Sequence, residues 1–113
     1  MHELGITESI VNIALAKAGE AEARKVTQIN VVIGELSGFV PDCIRFYFDS
    51  LSQDTIAHEA VLHFESVPAQ LRCRKCSVVF QPRDTQWSCP QCRGQSVEIA
   101  QGRELYIESI EVE

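Results

Sequence analysis

The chain has 113 residues, 45% of them apolar, and its sixteen acidic and ten basic side chains give a formal charge of −6. Such a composition suits one folded domain and argues against wholesale disorder. The longest apolar run is the four residues Ile13 to Ala16, far short of the roughly 20 that span a bilayer. No membrane partner is therefore expected. The N-terminus has no basic region leading into an apolar stretch, so we expect no secretory signal and a cytoplasmic location. Net acidity opposes phosphate, and the tightest basic group is only Arg72, Arg74 and Lys75, so nucleic acid is not an expected partner.

In chain order, residues 4–23 are predicted helical: Ile6, Ile10, Ile13 and Ala14 recur at helical spacing, and the stretch from Ala14 to Arg24 is rich in Ala, Glu and Lys. Val26 to Ile33 alternates as a strand, with Ile29, Val31 and Ile33 on one face and Gln28 and Asn30 on the other. Gly34 and Gly38 end it in a loop. Pro41 and Asp42 suit the first turn of a second helix, whose Ile44, Tyr47, Phe48 and Leu51 share a face. Ala60 to Val67 is a further strand, stopped by Pro68. Leu105 to Val112 is the last strand, with Tyr106, Ile110 and Val112 expected on one face.

Between Pro68 and Gly102 the texture changes to short apolar pieces set among cysteines. The expected fold is α+β: a small sheet of about three strands with two helices, plus an inserted four-cysteine zinc-ribbon module. The body would comprise 1–68 and 103–113, a discontinuous domain, and the module 69–102. A module of that size has too little core to stand without a metal.

Five cysteines are present, four of them in one window: Cys73, Cys76, Cys89 and Cys92. Each Cys-x-x-Cys turn brings two thiolates to one ion, and two turns complete a tetrahedron of sulfur, which selects zinc or, less often, iron. Pro90 and Gly94 fit the tight turn of a knuckle, glycine for its access to positive φ. The competing chemistry is thiol–disulfide exchange, but that uses one such motif at a helix N-terminus after a strand. Cys43, on the second helix, reads as a small buried hydrophobe.

His2 offers a second site. The terminal amine of Met1 with the amide and imidazole of His2 can close two chelate rings in a plane, leaving Glu3 or water for a fourth position. Planar nitrogen coordination suits Ni(II) or Cu(II), and Cu(II) more strongly. Against this, a terminal histidine is most often simply solvated. His58 and His63 have no obvious partner and read as structural. Glu20, Glu22, Glu108, Glu111 and Glu113 read as solvated.

Together, Met1-His2-Glu3-Leu4, Ile33-Gly34-Glu35-Leu36-Ser37, the Cys73/Cys76/Cys89/Cys92 ribbon, and Gly102-Arg103-Glu104-Leu105 through Ile110-Glu111-Val112-Glu113 resemble the HypA/HybF family of hydrogenase nickel-insertion proteins along essentially the whole chain. The resemblance implies a cytoplasmic metallochaperone that delivers nickel to the large-subunit precursor of [NiFe]-hydrogenase together with a HypB-type GTPase; some members also serve urease. It implies nickel on Met1, His2 and nearby Glu3, and structural zinc on the four cysteines. One departure matters. Some members carry histidines beside the zinc cysteines, whereas this chain has Ser77-Val78 and Arg93-Gly94 there.

No nucleophile–base pair and no phosphate-binding glycine loop is visible, so no enzyme is expected. The alternative function is a zinc-ribbon adaptor for protein or nucleic acid with no nickel role. Because the final strand follows the inserted module, its exchange between chains is an expected route to a homodimer.

Overall fold

In a computed structural model of the chain, residues 3–83 and 87–113 are described. The elements in order are α1 (Glu3–Glu20), β1 (Val26–Gly34), α2 (Pro41–Leu51), β2 (Val61–Val67), β3 (Gln70–Cys73), β4 (Val79–Phe80), β5 (Val97–Gln101) and β6 (Leu105–Val112). They form two three-stranded sheets, ordered β2-β1-β6 and β4-β3-β5. The fold is thus α+β, with two helices, a small sheet and a cysteine-bearing ribbon. By compactness the chain divides into one unit of Met1–Val32, Gly38–Glu65 and Tyr106–Glu113 and another of Ile33–Ser37 and Ser66–Leu105.

The first unit is built where two helices pack together. On α1 the buried stripe is Glu3, Thr7, Ile10, Val11, Ala14 and Ala18. Small Ala14 and Ala18 allow close approach, and the Thr7 hydroxyl donates back to the Glu3 carbonyl, so a polar residue sits buried without loss. Ile13, expected on this stripe, is 47% exposed. It lies one position off the 7-11-14-18 progression. From α2 come Ile44 and Phe48, and from β1 Val26, Ile29 and Val31, all buried.

The strand limits of β1, β2 and β6 follow the alternation and the stop at Pro68. The face of β6 does not. Tyr106 and Val112 are exposed, and the better covered side chains are Leu105, Ile107 and Ile110. As an edge strand, β6 is covered from one flank only, and its covered positions change parity between Ile107 and Ile110.

In the second unit β3 pairs antiparallel with both neighbours. Fully buried Leu71 lies opposite Phe80 on β4 and Ile99 on β5. The segment 33–37 is sewn into this unit by backbone hydrogen bonds: Gly34 N–H to the Glu104 carbonyl (2.7 Å), Glu35 N–H to that of Val67 (2.9 Å) and Leu36 N–H to that of Gly102 (2.6 Å). The crossing is tight. A Cβ on Gly34 would lie 2.0 Å from the Gly102 carbonyl oxygen, and Gly102 itself has φ +119°. Only glycine fits either position.

Candidate metal centre

The two cysteine turns are built to one plan. Cys73 N–H donates to the Val78 carbonyl (2.9 Å), and Ser77 N–H donates back to the Cys73 carbonyl (2.9 Å). In the second turn Cys89 N–H donates to Gly94 (2.9 Å), and Arg93 N–H to Cys89 (2.8 Å). The Cys76 and Cys92 amides also point at the first sulfur of their own turns, 3.5 Å and 3.4 Å away. Each turn thus holds its first cysteine, Cys73 or Cys89, buried, and leaves its second, Cys76 or Cys92, exposed.

The left-handed residue that closes each turn is not a glycine. Ser77 (φ 63°) and Arg93 (φ 61°) take that conformation, so the role expected of Gly94 belongs to Arg93. Gly94 instead gives room: its Cβ would sit 3.3 Å from Cys92 Sγ.

All four sulfurs lie within 4.8 Å of one another, and no other group of three or more His, Cys, Asp or Glu among the described residues converges in this way. Two close approaches cross between the turns, Cys73 to Cys92 and Cys76 to Cys89, both 3.5 Å. For a Zn–S bond of about 2.3 Å the edge of a sulfur tetrahedron is about 3.8 Å, so this donor set fits one tetrahedral ion. An exchange catalyst would instead pair the two cysteines within one motif.

The protons are shared unevenly. The Cys76 amide, donating to sulfur, lowers Cys73 to about 6 against the opposing effect of burial. At Cys89 burial acts to raise the thiol pKa, yet the Cys92 and Gln91 amides together bring it below the ordinary thiol value. Cys76 receives an amide at Val78, but burial and the neighbouring sulfurs of Cys89, Cys73 and Cys92 outweigh it and push the thiol up to about 11. Cys92 is likewise raised: the Gly94 amide is outweighed by Cys73, Cys89 and burial. Each turn therefore pairs a cysteine whose pKa is lowered with one whose pKa is raised and which must surrender its proton to a metal.

Of the N-terminal Met-His-Glu, Met1 and His2 lie outside the described residues. Glu3 opens α1 at 5% exposure. Its Oε2 accepts the Val40 N–H at 3.2 Å, at the N-cap of α2, a position that has no side-chain cap of its own. This carboxylate thus ties the starts of both helices together, a role its place in the sequence did not suggest. His58 and His63 are exposed and belong to no metal-ligating cluster. Cys43, expected to be buried, is exposed; the buried phase of α2 falls on Ile44 and Phe48, one residue along. The five glutamates read as solvated are exposed.

Among the described residues no helix is long and apolar enough to cross a membrane. Comparison with known proteins agrees with the architecture. The family described as "Hydrogenase/urease nickel incorporation, metallochaperone, hypA" matches residues 1–112. The hydrogenase maturation factor HypA of Dehalococcoides mccartyi is 50% identical over 113 residues, covering all of this chain and 95% of its own. That of Caldanaerobacter subterraneus subsp. tengcongensis is 45% identical, with both chains fully covered. The solution structure of the Ni metallochaperone HypA from Helicobacter pylori superimposes with a TM-score of 0.69 at 27% identity, over 99% of this chain and 97% of that one. With the family matched from end to end and the fold shared, this chain belongs to the HypA family of hydrogenase and urease nickel-incorporation metallochaperones, which are carriers and not enzymes.

Proposed function

We propose that this protein binds one Ni(II) at its N-terminus and passes it to the large-subunit precursor of [NiFe]-hydrogenase in company with a HypB-type GTPase, while the four cysteines hold structural Zn(II). The observation that carries this reading is the family match from residue 1, whose first three residues are Met-His-Glu. The nickel ligands are the amine of Met1 and the amide and imidazole of His2, with Glu3 beside them. The division of labour follows the chain: 1–68 with 103–113 carry nickel, and 69–102 carry zinc. The closed sulfur set supports zinc as a resident ion, since all four positions are protein ligands and none is left for substrate. A terminal chelate supports nickel as cargo, because few protein contacts break on release.

The test is a Ni(II) titration of zinc-loaded protein with its native N-terminus, beside His2→Ala and a form with one extra residue before Met1. About one nickel bound by the native chain and lost in both variants is expected; equal binding by all three would end the reading. Because a terminal amine with pKa of about 7.7–8.0 and an imidazole near 6.5 must both be deprotonated to bind, nickel affinity falls steeply from pH 8 to pH 6. A flat profile would exclude this ligand pair.

A further inference from the structure

Beside the second cysteine turn lies an open groove of about 770 Å³ whose lining includes the apolar Phe80, Pro82 and Pro90 and the basic Arg83 and Arg93. Among the described residues its lining contains two guanidinium groups and no carboxylate. Charge is distributed unevenly in the chain. The first compact unit has twelve acidic and four basic side chains, net −8, whereas the ribbon unit has four acidic and six basic, net +2. Within the ribbon, Arg72 and Arg74 share the one carboxylate of Glu98, at 3.7 Å and 4.0 Å. Neither Arg83 nor Arg93 has a carboxylate partner among the described residues. A zinc ion on four thiolates adds a charge of −2, which cancels the unit's excess but leaves these two guanidiniums facing the groove.

The backbone gives a second observation. Arg93 occupies a left-handed position, φ 61°, where glycine is the unstrained residue and a side chain is held at a cost. A guanidinium kept on a glycine seat beside this groove, with no carboxylate partner among the described residues, is placed for something outside the chain.

We propose that this groove is a docking site for an acidic, partly apolar peptide segment of a partner protein, its carboxylates meeting Arg83 and Arg93 in bidentate pairs and its apolar side chains resting on Phe80, Pro82 and Pro90. The site is independent of the N-terminal nickel reading. Proline and phenylalanine give a rigid floor, so docking orders few side chains of this protein.

The test uses full-length zinc-loaded protein and a fluorescein-labelled decapeptide alternating glutamate and leucine, read by polarisation and by the emission of Trp87, the chain's one tryptophan. Saturable binding that weakens with added salt is expected, with at least a fivefold loss in Arg93→Gly and in Arg83→Ala and no detectable binding in the double variant. Arg93→Gly relieves the backbone, so its loss cannot be ascribed to unfolding; retention of one zinc per chain is the check for all variants. Arg72→Ala, outside the groove, leaves binding unchanged. Equal losses in Arg72→Ala and Arg93→Gly would show diffuse attraction and overturn the site, as would an absence of peptide binding at millimolar concentration. Tighter binding of a single-stranded oligonucleotide than of the peptide would also overturn it.

Discussion

Glycine at position 34 is required by one distance. Its missing Cβ would stand 2.0 Å from the Gly102 carbonyl oxygen and 2.8 Å from the Arg103 nitrogen. Both are backbone atoms, and the carbonyl oxygen already accepts from the Leu36 N–H, so neither can yield cheaply. Gly34→Ala should cost about 3 kcal/mol or more, at the upper end of overpacking effects, seen as a lower denaturation midpoint or as insoluble protein. Gly38→Ala is a useful contrast: its φ is +82°, but nothing lies within 4 Å of the added carbon, so only the left-handed penalty of about 1–2 kcal/mol applies. The same penalty in reverse governs the cysteine turns. Arg93→Gly and Ser77→Gly should each stabilise the zinc-loaded protein by about 1 kcal/mol, less the entropy that glycine costs, as measured by chemical denaturation. A loss of stability would mean that the side chains themselves support the turns.

At the scale of elements, the ribbon depends on its ion. Its sheet buries Leu71 between Phe80 and Ile99 and little else apolar, too small a core to stand alone. Removing zinc with a chelator should therefore unfold 66–105, measured as collapse of its backbone amide resonances, while the helical signal of α1 and α2 largely persists. Reloading has a proton signature. In the unfolded ribbon the contacts that lower Cys73 and raise Cys76 are gone, so the thiols return to about 8.5 and are mostly protonated at pH 7.5. Zinc uptake should then release about four protons at pH 7.5, a number that holds as the pH falls and the thiols stay protonated. Zinc affinity falls in the same direction. Calorimetry in buffers of differing ionisation enthalpy reads this number, and a release of about two at pH 7.5 would mean that the turns stay formed, with Cys73 held as a thiolate, when the ion is gone.

For the whole molecule, charge and sheet edges set the behaviour. A net −8 on one unit beside +2 on the other keeps copies apart at low salt and lets them approach as screening rises. In the sheet ordered β2-β1-β6 both outer strands have an open edge, and the acidic side chains Glu108 and Glu111 on β6 and Glu65 on β2 guard those edges against pairing. If β6 exchanges between chains to form a homodimer, light scattering should show the dimer fraction rising with both protein and salt concentration. Monomer alone at high concentration and high salt would exclude it.

Much of this protein was legible before any fold was known. The helical spacing before Glu20, the alternation of β1, the breaks at Pro41 and Pro68 and the paired Cys-x-x-Cys turns are local patterns, and local geometry enforces them. The family motifs were legible too, but their reason was not. Gly34 and Gly102 stand 68 residues apart in sequence, and only the crossing of their backbones explains both. Tertiary packing likewise decided which phase of a helix is covered: it exposed Ile13 and Cys43, buried Thr7 and turned Glu3 into a tie between two helices. It also moved the left-handed turn from Gly94 to Arg93 and paired the sulfurs across turns. Sequence spacing fixes which residues recur on a surface. What that surface meets depends on contacts between segments far apart in the chain.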